Sequence, residues 1–256
     1  MSDVVAFTLM FGIILTSVGL VATFGLAELE SFDSAQQLDN AERTFELVAR
    51  SFEELEETQS TVRTEAVELS GGSITVSESS DLTVTVRDFD SGSAPNEETF
   101  DLNALVYETP DSIVGYENGA TFRQRKQSDG GIINHEPGMI CSDGTAVLSF
   151  VTVESSGEQL GGSGTERITG RLTNSTLLYP TATWGEGNAS AADAVDLEFT
   201  FDNVSRAREW ANHFDRSSGD WEVRSQTDSS VTIRCGASGD LDHVYVRESV
   251  IEVSYS

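Results

Sequence analysis

Lysine is almost missing from this chain. Lys126 is the only one in 256 residues, and all basic residues together number 15 against 43 acidic ones, a formal charge of -28. So negative a surface repels nucleic acid, which is excluded as a partner, and it repels itself. It suits concentrated salt, where repulsion between charges is screened. An acid-rich cation buffer is the rival reading, but the acids are spread along the chain instead of clustered. Cysteine and histidine are also scarce. Cys141 and Cys235 form no CxxC pair, and the histidines at 135, 213 and 243 are scattered, so a metal site has little support. There is no GxSxG, no HExxH and no dinucleotide glycine loop. The glycine-rich stretch from Ser155 to Gly164 has no following Lys-Ser or Lys-Thr and reads as a hairpin tip, not a phosphate loop. Asp88-x-Asp90 and Asp240-x-Asp242 lack the glutamate at position twelve that a calcium loop requires. The acids Glu53, Glu54, Glu56 and Glu57 read as a solvated run. No catalytic, cofactor-binding or metal-ligating residue stands out, and the chain reads as a non-enzyme without a cofactor.

Charge is missing altogether from Val4 to Ala27, a run of 24 residues. As a helix rising 1.5 Å per residue this run measures roughly 36 Å, enough for a bilayer core of about 30 Å. Thr8, Thr16, Ser17 and Thr23 can return their hydroxyls to the helix backbone. A buried soluble helix of this length would show a polar face. A secretory signal would open on a positive charge, whereas Met1-Ser2-Asp3 has none. The lipid bilayer is therefore the first expected partner. Gly12 with Thr16, and Ser17 with Val21, offer only a loose small-residue face for helix contact.

Proline is absent from Val4 to Leu69, and past the apolar run the pattern becomes a heptad. Leu38, Ala41, Phe45, Val48, Phe52, Leu55, Gln59, Val62, Ala66 and Leu69 follow alternating steps of three and four. The spacing predicts an amphipathic, coiled-coil-like helix over 31–70, stopped by Gly71-Gly72. Its stripe needs a cover, either the same stripe in a second copy or the chain's own distal domain. Leu38, Phe45, Val48, Phe52, Leu55, Val62 and Leu69 are thus the candidate self-association face.

From residue 72 the period is two. Strands are expected at 74–76, 82–86 and 100–108. A hairpin turns at Asn118-Gly119, and Ala146–Val153 reads as a central strand. One short helix is expected at 205–214, with Ala207, Trp210, Ala211 and Phe214 on one face. Arg123, Arg125 and Lys126 read as internal salt partners. The expected organisation is a transmembrane helix over 1–30, a stalk over 31–70 and a β-rich domain over 71–256. The fold class is α+β, with an antiparallel β-sandwich-like domain. Cys141 and Cys235 are a candidate disulfide if that domain is extracellular, and two separate buried thiols otherwise. Asn174, Asn188 and Asn203 open N-x-S/T sequons, which matter only on an outward-facing domain.

The run SDVVAFTLMFGIILTSVGLVATFG, followed by a long heptad-like helix and a β-rich domain, resembles haloarchaeal type IV pilin-like proteins. The acidic, lysine-poor composition also resembles proteins of salt-loving archaea. The resemblance implies a helix that first anchors the subunit and then packs with other copies in a filament core. It implies a single-pass protein of the cell membrane with an extracellular carboxy-terminal domain. Pilin-like subunits become candidate partners, and a monomeric membrane-anchored binding module is the alternative. Archaeal prepilins carry a short basic leader, whereas only Met1 precedes the helix here. That leaves either a start further upstream or an unprocessed anchor.

Overall fold

The computed structural model describes residues 2–58, 60–88, 96–126, 131–157, 159–181, 191–202 and 204–256. It divides into two compact units, Met1–Asn40 and Ala41–Ser256. The first helix, α1 (Ser2–Glu57), supplies residues to both. In the first unit it is the whole of the described structure.

The second unit is built of two sheets. The larger has nine strands: β7 (Gly131–His135), β6 (Ala120–Arg125), β5 (Ser112–Glu117), β4 (Ala104–Glu108), β1 (Val62–Ser77), β10 (Leu160–Tyr179), β14 (His243–Tyr255), β9 (Thr145–Ser155) and β8 (Ile140–Ser142), in that order across the sheet. The smaller has five: β12 (Trp221–Gln226), β13 (Ser230–Cys235), β11 (Ala194–Phe201), β2 (Ser80–Arg87) and β3 (Asn96–Asp101). The described pairings are antiparallel except β9 with β14, which run parallel, so the larger sheet is mixed. A second helix, α2 (Val204–Arg216), packs on β7, β11, β12 and β13.

Successive residues of a strand point to opposite faces, and this alternation orders the layers. On β5, Tyr116 meets Phe52 of α1 edge-on with ring centroids 5.0 Å apart, while the next residue, Glu117, meets Arg206 of α2. On β9, Ser149 donates to Glu56 of α1 at 2.6 Å, while Leu148 and Phe150 enter the apolar core shared with the smaller sheet. On β14, Arg247 pairs with Glu56 at 3.2 Å, while Val246 enters that core. The carboxy-terminal part of α1 therefore covers one face of the nine-stranded sheet. The five-stranded sheet and α2 cover the other. The shared core holds Leu82 and Val84 of β2, Leu197 and Phe199 of β11, Ile233 of β13 and Trp210 of α2.

Several expectations need correction. The helix ends at Glu57, not at residue 70. Both the backbone amide and the hydroxyl of Thr58 donate to the Glu54 carbonyl, closing the last turn at 3.0 and 2.6 Å. Val62, Ala66 and Leu69 belong to β1, and Gly71-Gly72 form no stop but a bulge inside it, with Gly71 at φ 91°. Only Gly72 of that pair opposes a residue of β10, Gly162. The expected strand at 100–108 is two strands in different sheets: the chain crosses at Leu102-Asn103, where the Asn103 side-chain amide donates to the Val153 carbonyl at 3.0 Å. Gly161, Gly162 and Gly164 lie within β10 and not in a hairpin tip. β9 lies one strand from the sheet edge. It reads as central because it is apolar toward the core and also partly covered on its other face. The turn at Asn118-Gly119 is as expected, both residues having positive φ, 47° and 81°.

Candidate functional site

The apolar segment Val4–Val21 is long enough to span a bilayer, and none of it is buried in the protein. Its polar atoms are satisfied within the helix. Thr8 donates to the Val4 carbonyl at 2.8 Å, Thr16 to Gly12 at 2.7 Å and Ser17 to Ile14 at 2.9 Å. In hydrocarbon an unsatisfied hydroxyl costs several kcal/mol, so this return bonding suits the segment to lipid.

Of the two covers open to the heptad stripe, a second copy or the chain's own domain, its helical part takes the second. Phe45, Val48 and Leu55 are fully buried and Phe52 is 2% exposed, all within the chain's own domain. Phe52 packs so closely over Gly170 of β10 that any side chain at that glycine would overlap its ring. The coiled-coil reading fails because the nine-stranded sheet is already the cover. Val62 and Leu69, in β1, lie on no helical stripe at all. Leu38 belongs to the first unit.

Polar contacts fix the same interface. Arg123 pairs with Glu42 at 2.7 Å, and His135 Nε2 lies 2.7 Å from Glu53. Lys126 pairs with Glu108 of β4, so two residues of the small basic cluster are internal partners. The acids of the helix run are not all solvated. Glu53 and Glu56 bind the sheet, and Glu54 pairs with Arg63 of β1 at 2.9 Å.

Beneath the other face of the sheet lies a buried ionic node. Glu117 has no exposed surface and is bonded by Arg206, by Ser79, by Ser80 at 2.9 Å and by Trp210 Nε1 at 3.2 Å. The Arg206 guanidinium also stacks over the Phe122 ring, 3.3 Å from its centroid. One turn along α2, Glu209 is 6% exposed, and its carboxylate oxygens have no hydrogen-bond partner among the described residues. Burial is the main cause pushing its pKa up to about 7; nearby Arg206 opposes this and Glu117 adds to it. Sequence reasoning missed the node. Its signal was an arginine four residues before Trp210 on the apolar face of a helix.

Two open depressions lie elsewhere on the domain. A polar cleft of about 600 Å³ is lined by Glu78, Asp81, Asp101, Asp202 and neighbouring serines. Burial and the adjacent Asp101 hold the Asp81 pKa above the ordinary range. A second cleft of about 380 Å³ lies between β7 and α2, beside His213, whose pKa is lowered mainly by burial. Among the described residues no group of three or more His, Cys, Asp or Glu side chains is placed to hold a metal ion.

Cys141 of β8 and Cys235 of β13 form a disulfide, with Cα atoms 5.8 Å apart, that staples the two sheets together. Asn174 is exposed on β10, while Asn188 and Asn203 lie outside the described residues.

The fold and the apolar helix together define a single-pass membrane protein. One amino-terminal helix is the membrane span, and a large β-rich domain of α+β, pilin-like architecture follows it outside the membrane. The chain belongs to the family of unknown function DUF7289, whose model matches residues 1–254. No curated protein and no solved structure matches it.

Proposed function

We propose that this protein is a pilin-like structural subunit, or a minor component, of a cell-surface filament or secretion-type assembly in a salt-loving archaeon. It acts without catalysis. The observation that carries this reading is α1. A single helix supplies both an apolar segment sized for the bilayer and the stripe that covers the nine-stranded sheet. A subunit drawn from the membrane into an assembly needs such an element, because its apolar half must exchange lipid for other copies. Since Phe45, Val48, Phe52 and Leu55 are already covered, lateral contact rests on Val4–Val21. The disulfide supports an oxidising, extracellular setting for the domain.

The coverage of the stripe also favours a second reading, a monomeric anchored binding module, with the acidic cleft beside Asp81 as its recess. One experiment separates the two: sequencing the mature amino terminus and following the protein through mechanical shearing of cells. A subunit is trimmed just before the apolar helix and leaves with sheared filaments. An untrimmed protein held wholly in membranes, in cells that possess the prepilin peptidase, defeats the assembly reading.

A further inference from the structure

We infer that Asn174 is an N-glycosylation site and that its glycan sits on an open stretch of strand edge. This inference rests on the extracellular placement of the domain. Asn174-Ser175-Thr176 satisfies the acceptor sequence, but a sequon in a strand is usable only if the strand is open, and here it is. β10 pairs with β1 only as far as Arg171, opposite Val62, and one further bond joins the Leu172 amide to the Thr61 carbonyl at 3.0 Å. Beyond that point β10 is paired with β14 alone among the described residues. Residues 173–177 are exposed without the alternation of a half-buried strand. The register shifts between Leu172 and Asn174, so the strand bulges where the sequon begins.

The side chain itself is set up for the reaction. Thr176 Oγ1 donates to Asn174 Oδ1 at 3.3 Å, and Asn174 Nδ2 makes no hydrogen bond among the described residues. Nδ2 is therefore accessible to an oligosaccharyl-transferring enzyme, in whose site it displaces the phosphate or pyrophosphate leaving group from C1 of a lipid-carried sugar. One N–C bond forms, one C–O bond breaks, and the amide proton leaves with the phosphate. A bulky, hydrated polymer at this position displaces no packed side chain. It also blocks an unpaired edge that would otherwise accept a foreign strand.

The test uses the full-length protein purified from its own cells. Cleavage after Glu166 and Glu186 isolates residues 167–186, in which Asn174 is the only sequon asparagine. Mass spectrometry should find this peptide shifted by a glycan. N174Q and T176A should each abolish the shift, and T176S should keep it. An unmodified peptide, or glycan confined to Asn188 or Asn203, overturns the inference, provided a reference glycoprotein from the same cells is modified. Protease treatment of the intact cells is run in parallel. A domain that protease reaches but that lacks glycan counts against Asn174 alone, whereas a fully protected domain counts against the extracellular placement.

Discussion

Among the described residues, Glu209 is a buried acid whose carboxylate is left without a hydrogen-bond partner. It is buried beside Gly131, so tightly that a side chain at that glycine would overlap its carboxyl. Its neighbour Arg206 is already bonded to Glu117, whose carboxylate adds repulsion. The folded protein therefore keeps a proton on Glu209 up to about pH 7, whereas the unfolded chain releases it near the ordinary value of 4.5. Between those two values the folded state binds more protons than the unfolded state, so stability falls as pH rises. Below 4.5 the group contributes nothing to the pH dependence, and above 7 the loss is complete. The full effect is at most roughly 3 kcal/mol, at about 1.4 kcal/mol per unit. Glu209→Gln removes it without adding a charge. Urea unfolding of both proteins from pH 4.5 to 8 should show the wild type losing stability relative to the variant across that window. Parallel curves would mean that Glu209 is hydrated or paired in solution.

The element that decides the domain is the second half of α1. Phe45, Val48, Phe52 and Leu55 were legible as a stripe because a heptad marks a covered helix face whatever covers it. The cover was not legible, since a sheet and a second helix ask for the same spacing. The helix end was hidden for a related reason. Val62, Ala66 and Leu69 continue the steps of three and four by coincidence, while the β-branched cluster Thr58, Thr61, Val62 and Thr64 favours a strand. In β1 Val67 is buried and Ala66 is exposed. The crossing at Leu102-Asn103 left no break in the apolar pattern, so β3 and β4 read as one strand. The ionic node stayed hidden because pairing Glu117 with Arg206 requires the tertiary fold. These corrections move the domain boundary from residue 71 to about residue 41. A fragment of residues 71–256 lacks the stripe and the first half of β1. Four large apolar side chains at about 1.5–3 kcal/mol each rival a whole domain's stability of about 5–15 kcal/mol. Residues 41–256 should therefore unfold as one cooperative transition by circular dichroism, and residues 71–256 should show none. A cooperative 71–256 fragment would make the helix cover dispensable.

At the scale of the molecule, charge is the dominant property, and the fold leaves it largely uncompensated. Many of the few cations are committed to particular acids. Arg87 and Arg234 both bind Asp196, Arg206 binds Glu117, and Arg63, Arg123, Lys126 and Arg247 hold α1 or a neighbouring strand. These contacts neutralise local sites, and the balance of -28 remains on the rest of the protein. The acids outnumber the basic residues 43 to 15, so their repulsion acts over the screening length, about 30 Å at 0.01 M salt and about 3 Å at 1 M. At low salt that length is comparable with the domain itself, and acids on both sheets repel one another. Near 1 M only adjacent acids still interact. The thermal midpoint of the detergent-solubilised protein should therefore rise with sodium chloride, with most of the rise complete by about 1 M. Exclusion of salt from the protein surface would instead give a rise that continues at higher concentration and is larger in sulfate. A salt series in both chlorides and sulfates, taken from 0.01 to 3 M, distinguishes the two causes. A midpoint unchanged over the whole series would mean that the acids are too dispersed to destabilise the fold, and the composition would then reflect solubility alone.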